Sequence, residues 1–246
     1  MPRRNSSPWP TGLQTPQMSF DCPKAPFVGP PLALKTTVLP AGKTLVRFHG
    51  MTHSANSFNP NTGADWLKPL DGTRFNPFPD LTSANVPTMY AADSFTAAAL
   101  ESVFHAVEHV PSPRYLRSQL ATWRYSELEI KRDLEVFELT NPNLRQLAVP
   151  GRPMSLAEAE LIHSLNDQYP NTRTWVRLLY LQVPTLDGLG WRPRLGGQGT
   201  SYVFFGGRCH SADFGVLSGP TSIDSGPGFD KILEVAVRAS IRVVKS

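Results

Sequence analysis

Residues 86–107, "VPTMYAADSFTAAALESVFHAV", change period in mid-stretch, and a strand running straight into a helix constrains the fold more than any other feature of the chain. "VPTMYAA" is short, apolar and opened by a proline, as a strand would be. Beyond it, Asp93 or Ser94 offers an oxygen to the free N–H groups of a first helical turn, and Ala97, Ala98 and Ala99 favour helix. With Leu100 at zero on a wheel of 100° per residue, Val103, Phe104 and Val107 fall within about 60° of it. The spacing predicts a helix to Val107 with an apolar stripe toward the core, closed by Pro111 and Pro113. Glu101 lies on the flank of that stripe. On this segment alone it reads as a boundary residue whose stem packs and whose head reaches water.

The rest of the chain supplies further elements in irregular order. In "KTLVRFH", Leu45, Arg47 and His49 alternate with Thr44, Val46 and Phe48, so regular structure is expected from about Gly42 with a strand of mixed polarity. From Gly50 to Asn85, Asn, Pro, Gly, Ser and Thr dominate, which predicts a long ordered loop of the kind that often carries function. "YSELEIK" and "LEVFELT" read most simply as a pair of strands, with a helix over 127–137 as the alternative. "SLAEAELIHSLNDQY" has Ser155 three residues ahead of Glu158, a capping box, and "TRTWVRLLYLQ" is a second helix. "DGLGW" reads as a turn, "SYVFFG" as a buried strand, and "KILEVAVRASIRVV" as a helix passing into a final strand. The spacing is not that of a doubly wound sheet. An α+β class follows, with one domain over residues 41–246.

Nine of the 24 prolines fall between Pro2 and Pro40, so residues 1–40 are expected to form an extended, Pro-rich N-terminal extension. Its arginines precede no apolar run, and no stretch approaches the roughly 20 apolar residues that span a membrane, so a cytoplasmic protein with no membrane contact is expected. Two cysteines, Cys22 and Cys209, exclude a disulfide framework and a thiolate metal site. The charge of +4 is spread out, which argues against direct nucleic-acid binding. Between Asn171 and His210, however, Arg173, Arg177, Arg192, Arg194 and Arg208 face only Asp187, an excess that suits a compact anion.

Glu101, His105 and His109 recur at every fourth position but lack the HExxH pattern, and no metal site is expected. The GxSxG elbow and the GxxxxGK[ST] phosphate loop are absent. What remains is Arg47 on the first strand, Arg74 in "GTRFNP", Tyr90 in "MYAA" and Glu101 just beyond. Each alone is ordinarily structural. Together they suit a nucleotide: guanidinium forks for a pyrophosphate, an aromatic ring for a base and a carboxylate for ribose hydroxyls.

The run "VRFHG…GTRFNPF…VPTMYAADSFTAAALESVFH", continued by "LEVFELTNPNLRQL" and "LDGLGWRPR…YVFFGGRC", resembles the RES domain, the toxin half of a bacterial toxin–antitoxin system. The resemblance implies a fold similar to ADP-ribosyltransferase toxins. It also implies an activity that depletes NAD by cleaving the nicotinamide–ribose bond, with phosphate or water as acceptor, and a neutralising Xre-like antitoxin. NAD is then a substrate, phosphate a co-substrate, and no bound cofactor is expected. Carried over by position, Arg47, Arg74, Tyr90, Glu101 and Arg194 would bind NAD, with Arg47 and Glu101 catalytic. Where the family has D-G-[IL]-x-W-x-S-R, this chain has "DGLGWRPR", with Pro193 in place of the serine, and Ser201 is the candidate to stand in as a catalytic hydroxyl. Two alternatives share these residues: a mono-ADP-ribosyltransferase acting on a protein, and a non-catalytic RES-like binding protein.

Overall fold

The computed structural model describes residues 21–26, 32, 34–107, 113–196 and 198–245, so His109, Pro111 and the first twenty residues lie outside it. Ten strands are assigned among these: β1 (Thr37–Leu39), β2 (Thr44–Gly50), β3 (Thr88–Ala92), β4 (Arg114–Leu116), β5 (Trp123–Ile130), β6 (Leu134–Glu138), β7 (Gly188–Trp191), β8 (Ser201–Phe205), β9 (Phe214–Ser222) and β10 (Arg242–Val244). The helices are α1 (Phe95–Glu101), α2 (Arg117–Leu120), α3 (Asn141–Leu144), α4 (Glu158–Ile162), α5 (Tyr169–Gln182) and α6 (Gly226–Arg238). Eight strands form one sheet in the order β1-β6-β7-β8-β3-β2-β5-β9, while β4 and β10 pair separately. All pairs in the large sheet are antiparallel except β6 with β7, as expected of an α+β fold.

The sheet has a weak seam. Strands β2 and β3 are in register only at Val46 and Ala92, whereas β2 pairs with β5 along its whole length and β3 does so with β8. Two half-sheets therefore meet at one point and fold on each other. Leu45, Leu128 and Ile130 of one half and Met89, Val136 and Phe204 of the other fill a shared apolar layer. Outside it, α1 and α6 cover Val46, Phe48 and Tyr125, and α5 covers Phe137, Leu189 and Phe205. Burial of these side chains stabilises each layer by about 1.5–3 kcal/mol per residue.

Several elements differ from the sequence reading. Helix α1 starts as expected, with Ser94 Oγ accepting from Ala97 N, but it ends at Glu101. The Phe104 N–H bonds to Ala99 O, five residues back, and this wider turn stops α geometry although Leu100, Val103, Phe104 and Val107 all remain buried together. The second predicted helix also shortens. Ser155 is held in a β-bridge with Ala148, so α4 begins only at Glu158, and Glu160 rather than Glu158 accepts the N–H at the start, from Ala157. "YSELEIK" and "LEVFELT" are strands, but they pair with other strands and not with each other.

The predicted turn "DGLGW" is strand β7, sandwiched between β6 and β8. A Cβ at Gly188 would sit 2.3 Å from Val203 O, so glycine here permits a close backbone approach rather than a turn. Regular structure starts before Gly42, because β1 lies inside the Pro-rich stretch and pairs with β6. Farther back, Cys22 O accepts from Asn171 Nδ2 (2.8 Å) and Pro23 O from Trp175 Nε1 (2.6 Å), which fastens that segment to α5.

Candidate active site

Because β2 and β3 diverge from Val46 and Ala92 toward Gly50 and Thr88, they leave a cleft of about 590 Å³ between them. Glu101, at the end of α1, closes one wall of it with Ser102 and His105. The loop predicted over 50–85 supplies Thr73, Arg74 and Phe75, β3 supplies Tyr90, β7 supplies Trp191, and β2 supplies Arg47, Phe48 and His49.

The Glu101 carboxylate is only 8% exposed and is held from two sides. Arg74 Nη1 lies 3.9 Å from its Oε2, and the backbone N–H of Arg194 donates to its Oε1 at 3.1 Å. Pro193 precedes that N–H, and a turn in which Gly196 N donates to Pro193 O (3.1 Å) presents it. The Arg194 side chain reaches the other way, with Nη2 donating to His105 O (3.4 Å). Burial, reinforced by Arg74, pulls the Arg194 pKa down.

Arg74 is 3% exposed and packs over the rings of Phe75 and Tyr169 at 5.7 Å each. Its Nε, like the indole Nε1 of Trp191, is buried without a hydrogen-bond partner among the described residues. Tyr90 meets Trp191 edge-on at 5.9 Å and donates its hydroxyl to Asn76 Oδ1 at 2.7 Å, with Thr73 Oγ1 at the same distance from that hydroxyl. Burial pushes the Tyr90 phenol well above its ordinary pKa, so it stays protonated. Asn76 Nδ2 in turn donates to Asn61 Oδ1 (2.7 Å), and Asn61 to Val86 O (3.0 Å), so one network fixes the loop wall.

The sequence candidates do not all converge. Arg74, Tyr90 and Glu101 do, joined by the backbone of Arg194. Arg47 lines the cleft from the other half-sheet, but its Nη1 is already bonded to Ala55 O and Ser57 O, and burial lowers its pKa to about 10. Ser201 is not at the cleft: it is buried on β8 with Oγ donating to Ala97 O of α1 at 3.4 Å. Nor does the glycine-rich stretch before it swing freely. Thr200 N donates to Asp93 Oδ1 (2.8 Å), and Gly199 has φ +115° in a space where a Cβ would come 2.5 Å from Ser94 Oγ.

The basic excess between Asn171 and His210 is not an anion patch. Arg173 is fully buried and donates to the carbonyls of Trp66, Lys68, Pro69 and Thr73, while Arg177 binds Pro79 O and Arg208 binds Tyr180 O. Beside Arg173, Thr172 Oγ1 donates to Arg74 O. Helix α5 thus grips the backbone of Thr73 and Arg74, two of the loop residues that line the cleft. Asp187 is paired with Arg132. Sequence reasoning did not single out Asn76, Thr73 or His53. Asn76 alone carried a signal, as an asparagine before proline in a loop dense with turn residues.

A family model for the RES domain matches residues 45–219. No curated protein matches the chain. The matched segment runs from β2 into β9 and contains every residue of the cleft named above. The fold is the ADP-ribosyltransferase-like one of that family, and no helix among the described residues is long and apolar enough to cross a membrane.

Proposed function

We propose that this chain, which belongs to the RES-domain family of enzymes acting on NAD, depletes NAD by cleaving the bond between nicotinamide and ribose, with phosphate or water as acceptor. In a cell it would act as a toxin held in check by an Xre-like antitoxin. The observation that carries the reading is the buried Glu101 carboxylate, fixed by Arg74 and the Arg194 N–H on the wall of the cleft. Loss of nicotinamide leaves a flattened, cationic ribose. A carboxylate already held in place stabilises that charge more than it stabilises the ground state. Nicotinamide departs neutral, so no general acid is needed, which fits the single carboxylate that the described residues place at the cleft rather than the pair used by glycosidases.

The remaining groups suit the rest of such a substrate. Arg74 Nε and Trp191 Nε1 are buried donors without acceptors among the described residues, and a ligand rich in oxygens would satisfy them. Arg47 and Arg74 make the cleft favourable for a pyrophosphate and for an acceptor phosphate, although Arg47 would have to share its loop bonds to take part. Tyr90 has its hydroxyl engaged by Asn76 and offers the ligand its ring. Pro193 removes one hydroxyl from the family pattern, but the backbone N–H of the next residue still reaches Glu101.

The test is product analysis after incubating purified protein with NAD, with and without inorganic phosphate. Free nicotinamide with ADP-ribose or its 1-phosphate is expected. ADP-ribose attached to protein would assign the transferase alternative, and untouched NAD would leave a non-catalytic binding protein.

A further inference from the structure

We infer that the His105 imidazole is the general base that takes the proton from water as the water oxygen attacks the ribose carbon. This rests on the NAD-cleaving reading of the same cleft and assigns it one further group. His105 stands four residues after Glu101, and a continued helix would have stacked the two on one stripe. Instead α1 ends at Glu101, and the wide turn closed by Phe104 N–H on Ala99 O brings His105 onto the cleft wall beside it.

One residue holds both positions. The Arg194 backbone N–H binds the Glu101 carboxylate and its guanidinium binds the His105 backbone carbonyl, so the chain at His105 is tied to the residue that holds the carboxylate. No described residue hydrogen-bonds the ring nitrogens of His105. Burial holds its pKa below the usual histidine value; the Glu101 charge opposes this, and Arg74 and Arg194 add to it. Arg47, His49, His53 and Tyr90 are the other titratable groups among the described residues facing the cleft, from β2, the loop after it and β3. The ring is therefore neutral at pH 7 and able to accept a proton.

The step balances without a further reagent. The ribose C1′–N bond breaks with its electron pair leaving on nicotinamide, which becomes neutral. A lone pair on the acceptor oxygen forms the new bond to C1′. The acceptor proton passes to the imidazole and then to solvent. Glu101 stabilises the cation and is not consumed.

The experiment compares wild type with His105→Gln and His105→Asn. Both variants should lose about a hundredfold in kcat at pH 7 with water as acceptor, while KM for NAD stays within about threefold. Azide, an anionic acceptor with no proton to lose, should return both variants to within about threefold of the wild-type rate measured with azide. In phosphate-free buffer the wild-type rate should fall only at a pH below the ordinary histidine range, because burial holds the His105 pKa down and the base is protonated only there, and the variants should lack that limb. Variants as fast as wild type, variants that keep the acid limb, or variants that azide fails to rescue would each overturn the assignment. Wild type that leaves NAD intact would instead sink the NAD reading itself.

Discussion

Replacing Arg173 by methionine should loosen the loop that forms one wall of the cleft and destabilise the whole fold. The guanidinium is fully buried and makes four hydrogen bonds to loop carbonyls: Nε to Thr73 O at 2.9 Å, Nη1 to Trp66 O at 3.1 Å and Lys68 O at 2.8 Å, and Nη2 to Pro69 O at 3.2 Å. Bonds from a charged donor contribute about 1.5–3 kcal/mol each, so the four together are worth about 6–12 kcal/mol. Against this stands the cost of keeping a cation out of water, several kcal/mol, which methionine would remove. The loop carbonyls also regain some water once the loop opens. A net loss of about 3 kcal/mol follows, or a fall of roughly 1 M or more in the urea midpoint at a slope of about 2–3 kcal/mol/M. Arg173→Lys should recover less than half, because an ammonium cannot reproduce the planar fork. Limited proteolysis should then cut first between residues 66 and 74. A methionine variant with an unchanged urea midpoint, or one destabilised with no new cleavage in that segment, would refute the idea that Arg173 acts by holding this loop.

Tyr90→Phe keeps the ring but removes the hydroxyl bonded to Asn76, so stability should fall by about 1 kcal/mol in a urea titration, and KM for NAD should rise more than kcat falls. Ser201→Ala removes only a 3.4 Å bond to a helix carbonyl away from the cleft, so stability should change by less than about 1 kcal/mol and turnover by less than twofold. A tenfold loss of turnover in that variant would return Ser201 to the mechanism.

The residues gathered at the cleft were legible largely because they sit in short runs whose neighbours fix them locally. "GTRFNP" is a tight polar loop, and "MYAADSFTAAALE" is a strand and a helix in direct succession, so Arg74, Tyr90 and Glu101 could be named without knowing the fold. What eluded the sequence depends on partners far along the chain. Arg173 looked like part of an anion-binding cluster, yet its acceptors are carbonyls about a hundred residues away. Gly188 and Gly190 looked like a turn because a glycine-rich run carries no sign of the strands that press on it from both sides. The apolar stripe of Leu100, Val103, Phe104 and Val107 persists through a wide turn, so periodicity alone could not show that the helix stops at Glu101. The seam between β2 and β3, which makes the cleft, is likewise invisible in either strand taken singly.

The most direct test of the central claim is to compare wild type with Glu101→Gln for NAD binding and for nicotinamide release on the same preparations. Glutamine keeps the shape and can still accept the Arg194 N–H, but it removes the charge facing the ribose cation. Calorimetric affinity for NAD should stay within a few-fold, while nicotinamide release falls by about a hundredfold or more. A glutamine variant that binds NAD and releases nicotinamide at the wild-type rate would contradict the account.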